Sequence, residues 1–237
     1  MLASLVALGV VAGLLTSLAG QGGGLFLLLV ISAVWGPHMA LVLTSPALLL
    51  GNLHRSFMGR HEIDRPIATR MALAVFPGSV VGGMLAGRIP ERAISVLLVV
   101  IVVLSILKAK GFIKLRVPPQ ALLVIGFGIG VITGASGGAG VLVGPILLSL
   151  GLSGMRYVAT NSAIAVAIHV GRVGAYGASG MFRRDLVWPI LFLACAIFVG
   201  NGCSTFVRPR MSATAVVRLE WGTLIVCSLI SIAGIVR

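Results

Sequence analysis

Charge is what this sequence has least of. Only 10% of its 237 residues are Asp, Glu, Lys or Arg, against about 25% in a soluble globular domain. Most of its surface therefore cannot face water, which excludes a soluble enzyme and a disordered chain. Negative charge is scarcer still, with five acidic residues in all. Glu62, Asp64, Glu91 and Asp185 fall in gaps between apolar runs, and Glu220 alone lies inside one. A sodium or proton site built from carboxylates has almost no material. Cysteine is also rare: Cys195, Cys203 and Cys227 sit within apolar runs at no metal-ligand spacing. They form neither the framework of a disulfide-stapled secreted domain nor a metal site. No zinc-type H-E-x-x-H, paired aspartates or phosphate-binding lysine loop is present, so no cofactor is expected.

What remains is apolar residue and glycine. Hydrophobic residues make up 58% of the chain and glycine contributes 32 positions; the mean hydropathy is +1.14. The apolar runs are continuous rather than alternating, which excludes an outer-membrane barrel. They fall at 2–19, 24–35, 39–58, 67–87, 91–107, 120–134, 141–151, 155–177, 186–206 and 212–236. At roughly 20 residues per crossing, this predicts an all-α polytopic membrane protein with its bilayer as the main partner. The N-terminus lacks a basic leader and reads as a retained first helix. The formal charge of +13 sits mainly in the gaps, where Lys and Arg anchor to headgroups and set topology. A nucleic-acid partner is not expected. The basic stretch 108–116 is placed on the cytoplasmic side by the same rule.

Two runs, 24–35 and 141–151, are too short to cross ~30 Å as straight helices. Each follows a glycine cluster, at 20–24 and at 134–140. The coincidence predicts an internal repeat. At a spacing of 117, Gly9, Gly13, Thr16 and Gly20 fall on Gly126, Gly130, Thr133 and Gly137; Ser45 falls on Ser162 and Arg55 on Arg172. With a one-residue slip, Gly22 and Gly24 fall on Gly138 and Gly140. The chain thus reads as one integral membrane domain of two homologous halves, 1–117 and 118–237, each with four to five hydrophobic helices and a glycine-broken helix near its start. Five passes per half make the repeats inverted; four make them parallel.

Glycine-interrupted short helices at matching places in two halves point to a transporter binding site. In hydrocarbon a helix break is tolerated only where it is buried in protein or lines a wet cavity. A helix starting after the break offers free N–H groups to an anion. The site is therefore placed at Gly22, Gly23, Gly24, Gly138 and Gly140. Thr44, Ser45, Asn161 and Ser162 supply donors at the openings of the next two long helices. Arg172, inside its run, is the countercharge, whereas Arg55 is close enough to the loop at Arg60 to snorkel outwards. Proton coupling, if present, falls to His54, His169 or Glu220, the last with Arg218 as an ion-pair partner on the same helix. Asn52 and Asn201 read as hydrogen bonds between helices.

Two other readings fit parts of the pattern. A passive channel or structural membrane protein would use the glycines for close packing alone. Gly134-Ala135-Ser136-Gly137 matches the G-x-S-G pattern of rhomboid-type intramembrane serine proteases, with His169 as base. The same letters recur at 177–180 in a loop, and the first half has Ala19 where Ser136 stands. The chain is therefore read as no enzyme.

Over nearly its whole length the chain resembles the sulfite exporter TauE/SafE family of membrane transporters. The resemblance rests on Gly20-x-Gly22-Gly23-Gly24 opening a short apolar helix, followed by Thr44-Ser45. Both features recur as Gly137-Gly138-x-Gly140 with Pro145, then Asn161-Ser162. The family's proline five residues after the last glycine is present as Pro145 and replaced by Leu29 in the first half. The resemblance implies secondary transport of a small anion, sulfite or an organosulfur anion such as sulfoacetate, across the bacterial inner membrane, with one half rocking against the other. Substrate, direction, coupling ion and assembly into homo-oligomers stay open.

Overall fold

The computed structural model describes residues 2–19, 22–109 and 118–236, and within these the chain is helical with no strand. The helices are α1 (Leu2–Ala19), α2 (Gly23–Trp35), α3 (Pro37–Met58), α4 (Arg65–Ala86) and α5 (Glu91–Ala109). They continue as α6 (Leu122–Ser136), α7 (Ala139–Ser149), α8 (Gly154–Ala178), α9 (Val187–Val207) and α10 (Ala213–Val236). Each coincides within a few residues with an apolar run. Three segments are long and apolar enough to cross a membrane, Leu2–Ala19, Arg65–Ala86 and Arg184–Arg210. Outward helix faces are oily: Leu73 on α4 is 68% exposed, Val124 on the shorter α6 77% and Phe206 on α9 71%. The Gly20–Gln21 part of the first glycine cluster and the 110–117 part of the linker lie outside the described residues.

Two glycine-lined helix pairs set the frame. On α1, a Cβ at Gly13 would come within 3.1 Å of Gly200 Cα on α9 and overlap the Ile197 carbonyl; one at Gly200 would overlap the Val10 carbonyl. On α6, Gly126, Gly130 and Gly134 meet Ala74, Gly78 and Gly82 of α4 in the same manner. Without side chains there, the backbones touch, which is how membrane helices gain packing without a hydrophobic driving force. Asn201 reinforces the first pair by accepting from the Ser17 hydroxyl at 2.8 Å and donating to the Gly51 carbonyl of α3 at 3.1 Å.

These contacts also give direction. Residues rise together along α1 and α9, and along α6 and α4, so each pair runs parallel. α4 runs parallel to α8, with Ser79 beside Gly171 and Gly83 beside Ala175. α3 runs parallel to α9, since Gly51 meets Ile197 while His54 touches Phe198 and Asn201. The end of α3 meets the start of α8 at Gly59 and Ala159, so those two run antiparallel. Asp64 pins this junction by accepting from the Ile67 amide, donating its own amide to Thr160 and pairing with Arg156 at 2.6 Å.

It follows that α1 and α3 run in one direction and α2 brings the chain back between them. Likewise α6 and α8 run in one direction and α7 returns. Each pair, α1–α2 and α6–α7, is a helical hairpin with glycine at its tip. The two hairpins enter from opposite ends of the molecule.

Candidate functional site

The second hairpin turns at Gly137 and Gly138, whose φ angles are 88° and 77°. L-residues with side chains rarely occupy that region, and glycine does so freely. On the first hairpin Gly22 has φ 92°. The tips meet: a Cβ at Gly137 would press on Leu28 of α2, and one at Gly138 would lie 3.7 Å from Leu25.

Beside the tips α3 and α8 enclose a cavity of about 40 Å³, room for only a few waters. Each helix contributes one stripe with the same spacing. From α3 come Thr44, Leu48, Asn52 and Arg55; from α8 come Asn161, Ala165, His169 and Arg172. The steps are four, four and three residues, one face of a helix. Gly22 and Gly24 from the first tip and Gly138 and Gly140 from the second close the cavity.

Both arginines are buried, Arg172 with 1% exposure and Arg55 with 9%. Arg172 Nε donates to the Tyr176 hydroxyl at 3.2 Å, and Tyr176 donates in turn to the Gly134 carbonyl at 2.7 Å. Arg172 Nη1 lies 3.5 Å from His169 Nδ1. Arg55 Nη2 donates to Asn52 Oδ1 one turn earlier. Among the described residues Arg172 Nη2 and Arg55 Nε have no hydrogen-bond partner. Among the described residues, the cavity lining contains no carboxylate. Unpaired guanidinium in a low-dielectric space is costly, and an oxyanion offsets that cost by accepting both forks.

The helix tips add to the positive field. The first α2 hydrogen bond runs from Phe26 N to the Gly22 carbonyl, so the amides of Gly23 to Leu25 have no acceptor within the helix. α7 starts with a tighter turn, Val141 N donating to the Gly138 carbonyl three residues back, and leaves its first amides free in the same way. Two helix N-termini thus open onto a space that two arginines also face.

Of the residues expected from sequence, Gly22, Gly24, Thr44, Gly138, Gly140, Asn161, His169 and Arg172 are brought together on this cavity. Gly23, Ser45, Ser162 and His54 are not among its lining. Gly23 packs on α1, where a Cβ would overlap the Ala12 carbonyl and the Thr16 hydroxyl. Ser45 lies one residue, about 100°, away from the cavity stripe and donates to the Leu41 carbonyl at 2.7 Å; Ser162 is displaced equally from Asn161. His54 faces α9, edge-on to Phe198 at 5.0 Å. The Glu220 side chain lies outside the described residues. Thr44 and Asn161 sit well inside their helices, because α3 starts at Pro37 and α8 at Gly154. Thr44 donates to the Ala40 carbonyl at 2.7 Å, so in this arrangement it presents an acceptor oxygen. The Ser136 hydroxyl donates to the Ile132 carbonyl at 2.8 Å, and His169 faces Arg172; the two do not form a nucleophile–base pair.

The family described as sulfite exporter TauE/SafE matches residues 5–233. The chain belongs to the sulfite exporter TauE/SafE family. No curated protein and no solved structure matches it. This is a family of membrane transporters, and the hydrophobic exterior and charge-lined interior have the polarity such a protein requires.

Three polar residues on the TauE/SafE cavity, Arg55, Asn52 and Thr16, carry no site assignment from the sequence. Arg55 was read as reaching back to its loop. The spacing of 117 that equates it with Arg172 also equates Asn52 with His169, and each arginine contacts the residue one turn before it. That paired spacing was the available signal.

Proposed function

We propose that this chain is a multi-pass secondary transporter of a small oxyanion, sulfite or a related sulfur anion, across the bacterial inner membrane. The observation that carries the reading is the pair of buried arginines, Arg55 and Arg172, facing one cavity between two helix N-termini, with no carboxylate among the described residues of its lining. Gly22, Gly24, Gly138 and Gly140 let backbone amides approach the anion. Arg172 and Arg55 supply its countercharge, Asn161 borders it, and Asn52 holds the Arg55 guanidinium in place. His169 borders the cavity and is the candidate for proton coupling among its described residues.

The two halves act as an inverted repeat. Five helices on each side of the linker, the antiparallel course of α3 and α8, and the exchange of partners between α1–α9 and α4–α6 support this. The same exchange argues that the moving bodies are composite. α1, α3 and α9 form one, α4, α6 and α8 the other, and they rock about the α3–α8 contact where the cavity lies.

The test is sulfite flux into proteoliposomes. Saturable uptake that is accelerated by sulfite trapped inside is expected, and Arg172→Gln should reduce it at least tenfold, the scale of one charge-assisted hydrogen bond of about 1.5–3 kcal/mol. Linear, non-saturating flux without counterflow would favour the passive channel. Wild-type flux by Arg172→Gln would remove the cavity from the pathway.

A further inference from the structure

A second chamber of about 70 Å³ lies between the ends of α3 and α9 and the start of α8. Arg55 lines this chamber as well as the central cavity. Arg208, half-buried where α9 ends, lines it from the other side and donates to the Ser17 carbonyl at 3.2 Å. Ser17, Asn201, Ser204 and Thr205 supply its remaining polar groups, and among the described residues no acidic one is in its lining. Gly59 helps to form the wall next to α8, where Ala159 packs against it so closely that a Cβ at Gly59 would lie 2.8 Å from the Ala159 methyl. At a spacing of 117 from Gly59 stands Tyr176. There, one turn beyond Arg172 towards the opposite face, the Tyr176 ring is fully buried and hydrogen-bonded to Gly134. The matching position in the two halves is therefore a ring at one end and a glycine packed on Ala159 at the other.

We propose that the chamber is a second anion station, held by Arg208 and Arg55, through which a small oxyanion passes between the central cavity and the face where α3 and α9 end. It rests on the transporter reading above. Arg208 attracts the anion at the mouth, and Arg55, with an Nε lacking a partner among the described residues, hands it to Arg172. Arg60, Arg65, Arg208 and Arg210 flank this face, and by the positive-inside rule, which counts Lys and Arg, it is the cytoplasmic one.

The experiment uses the full chain with Cys195, Cys203 and Cys227 changed to Ser and Thr205→Cys introduced at the chamber wall. Purified protein is labelled with an anionic sulfonatoethyl and a cationic trimethylammonioethyl methanethiosulfonate. The anionic reagent is expected to react roughly tenfold faster, the lower end of electrostatic focusing in a charged cleft. Arg208→Gln should bring the two rates together, and Arg208→Lys should keep the preference, which a merely structural role for Arg208 would not. If Thr205→Cys does not fold, Ser204→Cys serves at the adjoining wall position. Equal rates in the Arg208 protein, or a preference that survives Arg208→Gln, would overturn the proposal. Neither result bears on sulfite flux through the central cavity. Conversely, absent flux with the preference intact would sink the transporter reading and leave an anion-attracting chamber.

Discussion

Tyr176 and Arg172 stand one turn apart on α8, and the guanidinium carbon lies 5.5 Å from the centre of the Tyr176 ring while Nε donates to its hydroxyl. The ring therefore fixes which way the fork points. Tyr176→Phe keeps the ring and removes two hydrogen bonds, to Arg172 and to the Gly134 carbonyl. Leaving such buried groups unpaired costs about 1–3 kcal/mol. The expected result is a lower melting temperature in detergent together with a several-fold higher KM for sulfite. An unchanged KM would show that Arg172 is oriented by something else.

Arg55 and Arg172 should be of similar importance. Arg55→Gln is expected to lose sulfite flux on the same scale as Arg172→Gln. Lysine at either position should restore only part of it, because an ammonium is a point charge without the planar fork. Flux measured for the four single variants checks this. A near-normal Arg55→Gln protein beside a dead Arg172→Gln protein would confine the anion to the α8 side.

Glycines two residues apart on α6 should behave in opposite ways. Gly130 touches the α4 backbone, and a Cβ would overlap the Val75 carbonyl, whereas Gly128 has nothing within 4 Å. Gly130→Ala should destabilise by about 1–3 kcal/mol through overpacking. Gly128→Ala should be neutral or stabilising by up to ~1 kcal/mol, the helix-propensity difference. Thermal unfolding of the two proteins in the same detergent decides it.

Ser136→Ala is expected to transport like wild type. Its hydroxyl serves its own helix through Ile132, a bond of modest net value. Loss of cleavage of a fluorogenic transmembrane peptide in the variant, with cleavage by the wild type, would revive the protease reading.

Much of this architecture was readable before any coordinates. Continuous apolar runs become helices because a chain in lipid has few other ways to satisfy its amides. Glycines 22, 24, 138 and 140 were visible because their clusters precede helices too short to span. What hydropathy does not encode is the rotational face of a helix. Thr44 and Ser45 look equivalent in a list of polar residues, yet only Thr44 lies on the stripe that Asn52 and Arg55 continue. Gly23 sits among glycines that approach the cavity but itself packs on α1. Arg55 looked like a loop-side anchor because sequence distance to Arg60 says nothing about which side of α3 it faces.

The glycine-lined pairs have a consequence for how the protein is held together. α1 is gripped by α9 and α6 by α4, so each half of the chain lends a strut to the other. Cross-pairing of this kind does not need a covalent link between the halves. Expressed as two separate polypeptides cut within 110–117, the halves should find each other in the bilayer and co-purify. By the same logic neither half should be stable alone, since Gly13 and Gly130 would expose their bare backbone grooves to lipid.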